Sequence, residues 1–132
     1  MATKLFFEML DEVNADVSTL KTKYAGSGAL RILFEHAFKP DKKFLLPETD
    51  PPYKADIHPI GMAPTTLVHE SKRLYVFTRA DLTKLKREGL FIDLLESIDK
   101  NDAKILLAVK NQQLPKIFPK ITEKVVTDAG YL

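Results

Sequence analysis

No cysteine and no tryptophan occur among the 132 residues of this chain. The lack of thiols excludes disulfide scaffolds, thiolate metal sites, cysteine nucleophiles and redox relays in one step. Long apolar runs are missing as well, and none approaches the roughly 20 residues that a membrane-spanning helix needs. The opening Met1-Ala2-Thr3-Lys4-Leu5-Phe6-Phe7-Glu8 reaches an acidic residue too early for a secretory signal. Charge of one sign is lacking too: 20 Lys and Arg stand against 18 Asp and Glu, a formal net charge of +2. That balance falls short of the domain-wide basicity of strong nucleic-acid binders.

What is present fits one globular domain. Hydrophobic residues make up 45% of the chain and charged residues 29%, which argues against disorder over its whole length. A chain of this size buries roughly two-thirds of its unfolded surface. Six of the eight prolines, Pro40, Pro47, Pro51, Pro52, Pro59 and Pro64, fall between residues 40 and 64. Each removes a backbone donor and disfavours helix at its predecessor, so 40–64 reads as a long irregular strap. Its apolar residues, among them Leu45, Leu46, Tyr53 and Ile57, are expected to anchor it. At most one short strand, at Phe44–Leu46, is expected there.

Elsewhere helical spacing dominates, and the fold class expected is mainly α, with about six or seven helices in a single domain over 1–132. Leu5, Phe6, Met9, Leu10 and Val13 form an i, i+3/i+4 row behind Thr3 as a cap. Val17, Leu20 and Tyr24 continue into a second helix stopped by Gly26, and Ser27 caps a third that ends at Pro40. A helix from about Thr66 to Phe77 competes with a strand at Leu74–Thr78. Asp81 is the expected cap of the next helix, with Gly89 inside it as a close-packing point or a break. Asp99 or Asn101 caps another, Lys116-Ile117-Phe118 reads as extended between two prolines, and Thr122 caps a short terminal helix.

Motifs for catalysis are sparse. There is no His-Glu-x-x-His, no His pair at helical spacing, no Gly-x-Ser-x-Gly elbow and no Gly-Lys-Ser/Thr. His36, His58 and His69 read as surface or strap histidines. Gly26-Ser27-Gly28 opens a helix and offers backbone donors to an anion, although a helix stop followed by a cap explains the segment fully. Glu8, Glu12, Glu96 and Asp99 pair at helical spacing, which admits a divalent cation held by two helices or a solvated acidic face. No cofactor is implied, and neither a catalytic nor a metal site is assigned.

The most suggestive cluster is basic. Lys72-Arg73-Leu74-Tyr75-Val76-Phe77-Thr78-Arg79 interleaves cations with aromatics, and Lys84, Lys86 and Arg87 follow. Cations that neutralise phosphates, beside rings that stack bases, are what single-stranded nucleic acid requires. The competing reading buries the aromatics and leaves the cations to solvate the opposite face.

Leu45-Leu46-Pro47-Glu48, Pro51-Pro52-Tyr53-Lys54, His69-Glu70-Ser71 leading to Leu74-Tyr75, and Leu90-Phe91-Ile92 with Leu94-Leu95-Glu96 form a recognisable string. With Asp102-Ala103, Lys110 and Leu114 added, it resembles a family of small uncharacterised proteins of marine tailed phages, the myoviruses. The likeness runs from about residue 29 onward. It implies a phage protein acting in the host cytoplasm or built into the virion, and it carries no catalytic motif. The function expected is non-enzymatic: binding of nucleic acid, or of a phage or host replication or transcription protein, through Lys72, Arg73, Tyr75, Arg79, Lys84, Lys86 and Arg87. The alternatives are docking or self-association through the strap, and a carboxylate-metal enzyme. No membrane partner is expected.

Overall fold

The computed structural model describes residues 5–60 and 62–132. Six α-helices carry the described chain: α1 (Phe6–Ala15), α2 (Gly28–Phe38), α3 (Leu67–Glu70), α4 (Lys84–Ser97), α5 (Lys100–Lys110) and α6 (Glu123–Asp128). No strand occurs among the described residues, so the fold is mainly α.

Most helix starts follow from capping chemistry. Ser27 Oγ accepts the Leu30 N–H at 3.3 Å and opens α2. Gly26 just before it takes φ +76°, where a side chain would be strained. Thr66, Thr83, Asp99 and Thr122 cap α3, α4, α5 and α6 in the same way. Thr3, the cap expected for α1, lies outside the described residues. Glu8 Oε1 accepts the Leu5 N–H at 3.0 Å at that end.

Several local expectations are corrected. Asp81 does not cap α4, because both its oxygens are taken by Arg79, at 3.0 and 2.5 Å. The cap passes to Thr83. Gly89 sits in an unbroken α4, and a Cβ there would meet nothing within 4 Å, so it marks neither a break nor a close approach. The helix expected around Val17–Tyr24 shrinks to a 3-10 turn at Val17–Leu20, where Asp16 captures the Ser18 N–H at 3.1 Å. Leu114–Lys116 is likewise a 3-10 turn, not an extended segment.

The segment after α3 is the least regular. Ser71–Thr78 is an eight-residue 3-10 helix, longer than such helices usually run. Residues three apart eclipse in that geometry, and Ser71, Leu74 and Phe77 form its buried column. The strand expectation at Leu74–Thr78 fails for this reason: the apolar spacing is three, not two.

One apolar cluster joins all six helices through residues such as Leu10, Leu33, Leu67, Leu95, Leu106 and Val126. Phe44, Phe77 and Phe91 meet at its centre with ring centroids 5.2, 5.3 and 6.2 Å apart. Tyr131 closes the far side edge-on to Phe34 and donates its hydroxyl to the Tyr24 carbonyl.

The strap is held in part as expected, through Phe44, Leu46 and Tyr53, and in part otherwise. Phe44 is its buried anchor, and Leu46 and Tyr53 are half-buried. The Leu45 side chain is exposed, and its backbone N–H donates to the Phe77 carbonyl at 2.8 Å. Ile57 is 88% exposed and anchors nothing. The main fastening is Lys110, only 1% exposed at the end of α5. Its Nζ donates to the carbonyls of Pro47, Glu48 and Thr49 at 2.8, 3.0 and 3.4 Å, and to Asn111 Oδ1 at 2.9 Å.

Candidate functional site

The 3-10 pitch sorts the basic segment into three columns. Ser71, Leu74 and Phe77 face the core, which removes Phe77 from any stacking role. Lys72, Tyr75 and Thr78 line a polar cavity of about 220 Å³ against Ile32, Glu35 and His36 of α2 and Lys42 of the strap. Arg73 and Val76 line a more apolar groove of about 350 Å³ with Leu90, Asp93 and Leu94 of α4. Segment 71–78 is therefore core on one side and ligand-accessible on two.

The expected binding residues separate into groups. Tyr75 is 55% exposed and Lys72 is exposed beside it. Arg73 is exposed, with Glu70 at 4.0 Å. Lys84 and Lys86 are exposed on the first turn of α4. Arg79 is engaged by Asp81, whose hydrogen bonds hold the guanidinium pKa up and the Asp81 carboxyl pKa down. Arg87 is a correction: it is structural. Its Nε donates to the Leu45 carbonyl at 2.7 Å and its Nη1 to those of Leu82 and Arg79 at 2.8 and 3.3 Å, tying strap and α4 together.

Sequence reasoning misplaced His36. It is buried in α2, its ring 5.1 Å from Phe44, and Nδ1 lies 3.0 Å from the Lys42 carbonyl. Since a carbonyl only accepts, Nδ1 carries the proton, and in the neutral ring Nε2 is left as an acceptor. Burial lowers the His36 pKa, which favours that neutral form. Among the described residues Nε2 has no partner, and it is not among the sealed polar atoms, so it keeps some access to solvent. Gln112, at φ 53°, holds this end of α2 by donating to the His36 and Lys39 carbonyls at 3.2 and 2.7 Å.

The carboxylates weighed as metal ligands are dispersed into separate tasks. Glu8 holds the Leu5 N–H, Glu12 pairs with Lys23 at 2.7 Å, Glu96 accepts from the Lys54 N–H at 2.8 Å, and Asp99 caps α5. Among the described residues no group of three or more His, Asp or Glu is placed to hold a metal ion. His58 is paired with Asp56 at 2.5 Å on the strap. Two serines stand three residues before a lysine, Ser18 before Lys21 and Ser97 before Lys100, a spacing found in some acyl-transfer nucleophiles. Both hydroxyls are occupied locally, on Asp16 Oδ1 and on the Asp93 carbonyl, each at 2.7 Å.

Residues 11–116 match the sequence profile of a family of unknown function, DUF6433. The chain belongs to DUF6433. The matched span of this DUF6433 member takes in the whole strap, the 3-10 helix and α2 to α5, and hence every residue of the polar cavity. No curated protein and no solved structure matches it. Among its described residues no helix is long and apolar enough to cross a membrane.

Proposed function

We propose that this protein binds single-stranded nucleic acid in the host cytoplasm, through the face centred on Tyr75 and Lys72 and extended by Arg73, Lys84 and Lys86. The observation that carries the reading is the setting of Tyr75. Its ring is half-exposed, and Lys42 and Lys72, which line the cavity with it, have no carboxylate partner among the described residues. An exposed ring can stack on a base of any identity, and unpaired cations neutralise phosphates. The resemblance to small phage proteins supports an accessory role without catalysis.

The test is a fluorescence-anisotropy titration of a labelled oligothymidylate across a salt series. Binding is expected to weaken steeply with salt. Lys72→Glu with Lys86→Glu should weaken it at every sequence and flatten the log–log salt slope by about 0.7 for each phosphate no longer neutralised. Absence of binding to any DNA or RNA strand at low ionic strength rejects the reading.

A second reading rests on the strap, where Ile57, Ile60 and Met62 stand 88%, 61% and 66% exposed. Apolar side chains so displayed suit docking to a replication or transcription protein, or to a second copy. A dimer in light scattering that Ile57→Asp dissolves would favour that role.

A further inference from the structure

The cavity between α2 and the Ser71–Thr78 helix holds both signs of chemistry, and this narrows what it takes. Lys42 and Lys72 supply donors and positive charge on the strap and 3-10 sides. Glu35 supplies a carboxylate from α2, where His36 also lines the cavity. The Glu35 carboxylate makes no ion pair or hydrogen bond among the described residues, either with the two lysines or with anything else. Glu35 and the two lysines thus line one cavity without forming an ion pair. A bare phosphate would satisfy the lysines and be repelled by Glu35. A purely cationic ligand would suffer the converse. The occupant that satisfies both walls has an anionic end and an edge of N–H donors.

We propose that this cavity receives one unstacked nucleotide of a bound single strand and selects guanine through Glu35. The inference rests on the nucleic-acid reading above and deepens it. The base stacks on Tyr75 at the cavity mouth, and its flanking phosphate reaches Lys42 and Lys72. Splayed bases in single strands are commonly read on their Watson–Crick edge in this manner. Guanine presents N1–H and N2–H side by side on that edge, matching the two oxygens of a carboxylate. Cytosine, adenine and thymine each offer only one donor group on that edge and set a ring or carbonyl acceptor beside it against the same carboxylate. His36 Nε2 is an additional acceptor for an amino or sugar hydroxyl group. Its Nδ1–H is spent on the Lys42 carbonyl, which leaves Nε2 as the free acceptor of the neutral ring. Thr78 and Ser71 contribute little, since their hydroxyls already donate to the Tyr75 and Val68 carbonyls.

The test compares labelled oligothymidylates that carry a single central guanine, cytosine, adenine or abasic site, titrated by anisotropy at one low salt concentration. The guanine strand should bind about tenfold more tightly than the adenine strand, the discrimination of one bidentate pair. Glu35→Gln should erase that preference, bringing the guanine and adenine strands to equal affinity, while any gain from the lost negative charge is shared by all strands alike. Lys72→Ala should weaken all strands alike and keep the preference. Equal affinity for every central base overturns the guanine pocket and leaves the proposed function standing. A guanine preference that survives Glu35→Gln overturns the role of Glu35. No binding by any strand removes both readings together.

Discussion

Asp102 shows how much a single residue can depend on its surroundings. It lies in the first turn of α5, fully buried, and its Oδ1 accepts the Phe7 N–H of α1 at 2.9 Å. Its other oxygen is sealed and has no partner among the described residues. Burial pushes this carboxyl from the usual 3.8 up to about 6, with Asp99 and Glu8 adding like-charge repulsion against the N–H groups of Phe7 and Phe6. The folded state therefore holds the proton more tightly than the unfolded chain does. Above about pH 6 the buried charge costs stability; as pH falls from 6 towards 3.8 that cost is relieved. A shift of this size corresponds to about 3 kcal/mol at most. Urea titrations should thus show Asp102 adding stability as pH is lowered from 7 to 5, and Asp102→Asn should flatten that part of the profile. A variant whose pH profile parallels the parent protein's would contradict the assignment. A charged residue reads as surface in composition, yet a signal existed. Asp102, Ile105, Leu106 and Val109 share one helical face, and Ala103, Leu106 and Lys110 share another. Both buried charges stand in register with the apolar stripe.

At the scale of elements, capping was the most legible feature. Ser27, Asp99 and Thr122 all do what their side chains suggest, because a cap is a local bond between neighbours. Asp81 misled because capping competes with any stronger partner within reach, and Arg79 lies only two residues away. The strap's fastening was illegible for a different reason. Lys110 reaches residues about sixty positions earlier in the chain, and no local pattern encodes that pairing. Burial lowers its pKa, while Asp50 and Glu48 work against that. Lys110→Met keeps the volume and removes the donors, leaving the Pro47, Glu48 and Thr49 carbonyls without their shared partner. Loss of about 2–4 kcal/mol is expected from such hydrogen bonds to a charged group. Hydrogen exchange and limited proteolysis should show the strap opening first, with α2 and α5 still protected. Unchanged protection of the strap would mean that Phe44, the Leu45 backbone bonds and the Lys54–Glu96 bond secure it without Lys110.

The whole molecule has one apolar cluster with α5 in its midst, touching α1, α2 and α4. A single cluster of this kind should unfold in one cooperative step, so melts followed by far-ultraviolet circular dichroism and by tyrosine fluorescence should coincide. Two separated transitions would reveal a strap or terminal segment that folds independently. The near-zero net charge also gains a meaning at this scale. Residues 21–47 sum to +4 and 72–92 to +4, while 48–71 sum to −3. The first and second of these supply Lys42 and Lys72 to one cavity, although thirty positions of chain separate them. The basic face was readable as composition; its division between ligand, core and clamp was not, because it depends on helical pitch. That pitch sets a rule about length. Inserting or deleting one residue within Ser71–Thr78 would turn every later side chain by about a third of a turn. Tyr75 or a lysine would then point into the phenylalanine core, and Leu74 or Phe77 into solvent. The strap next to it, secured at a few points with loose chain between them, can absorb extra residues without such a rotation. Two neighbouring stretches of this protein thus obey opposite constraints: one tolerates changes in length, and the other works as a screw thread whose count of residues must be kept.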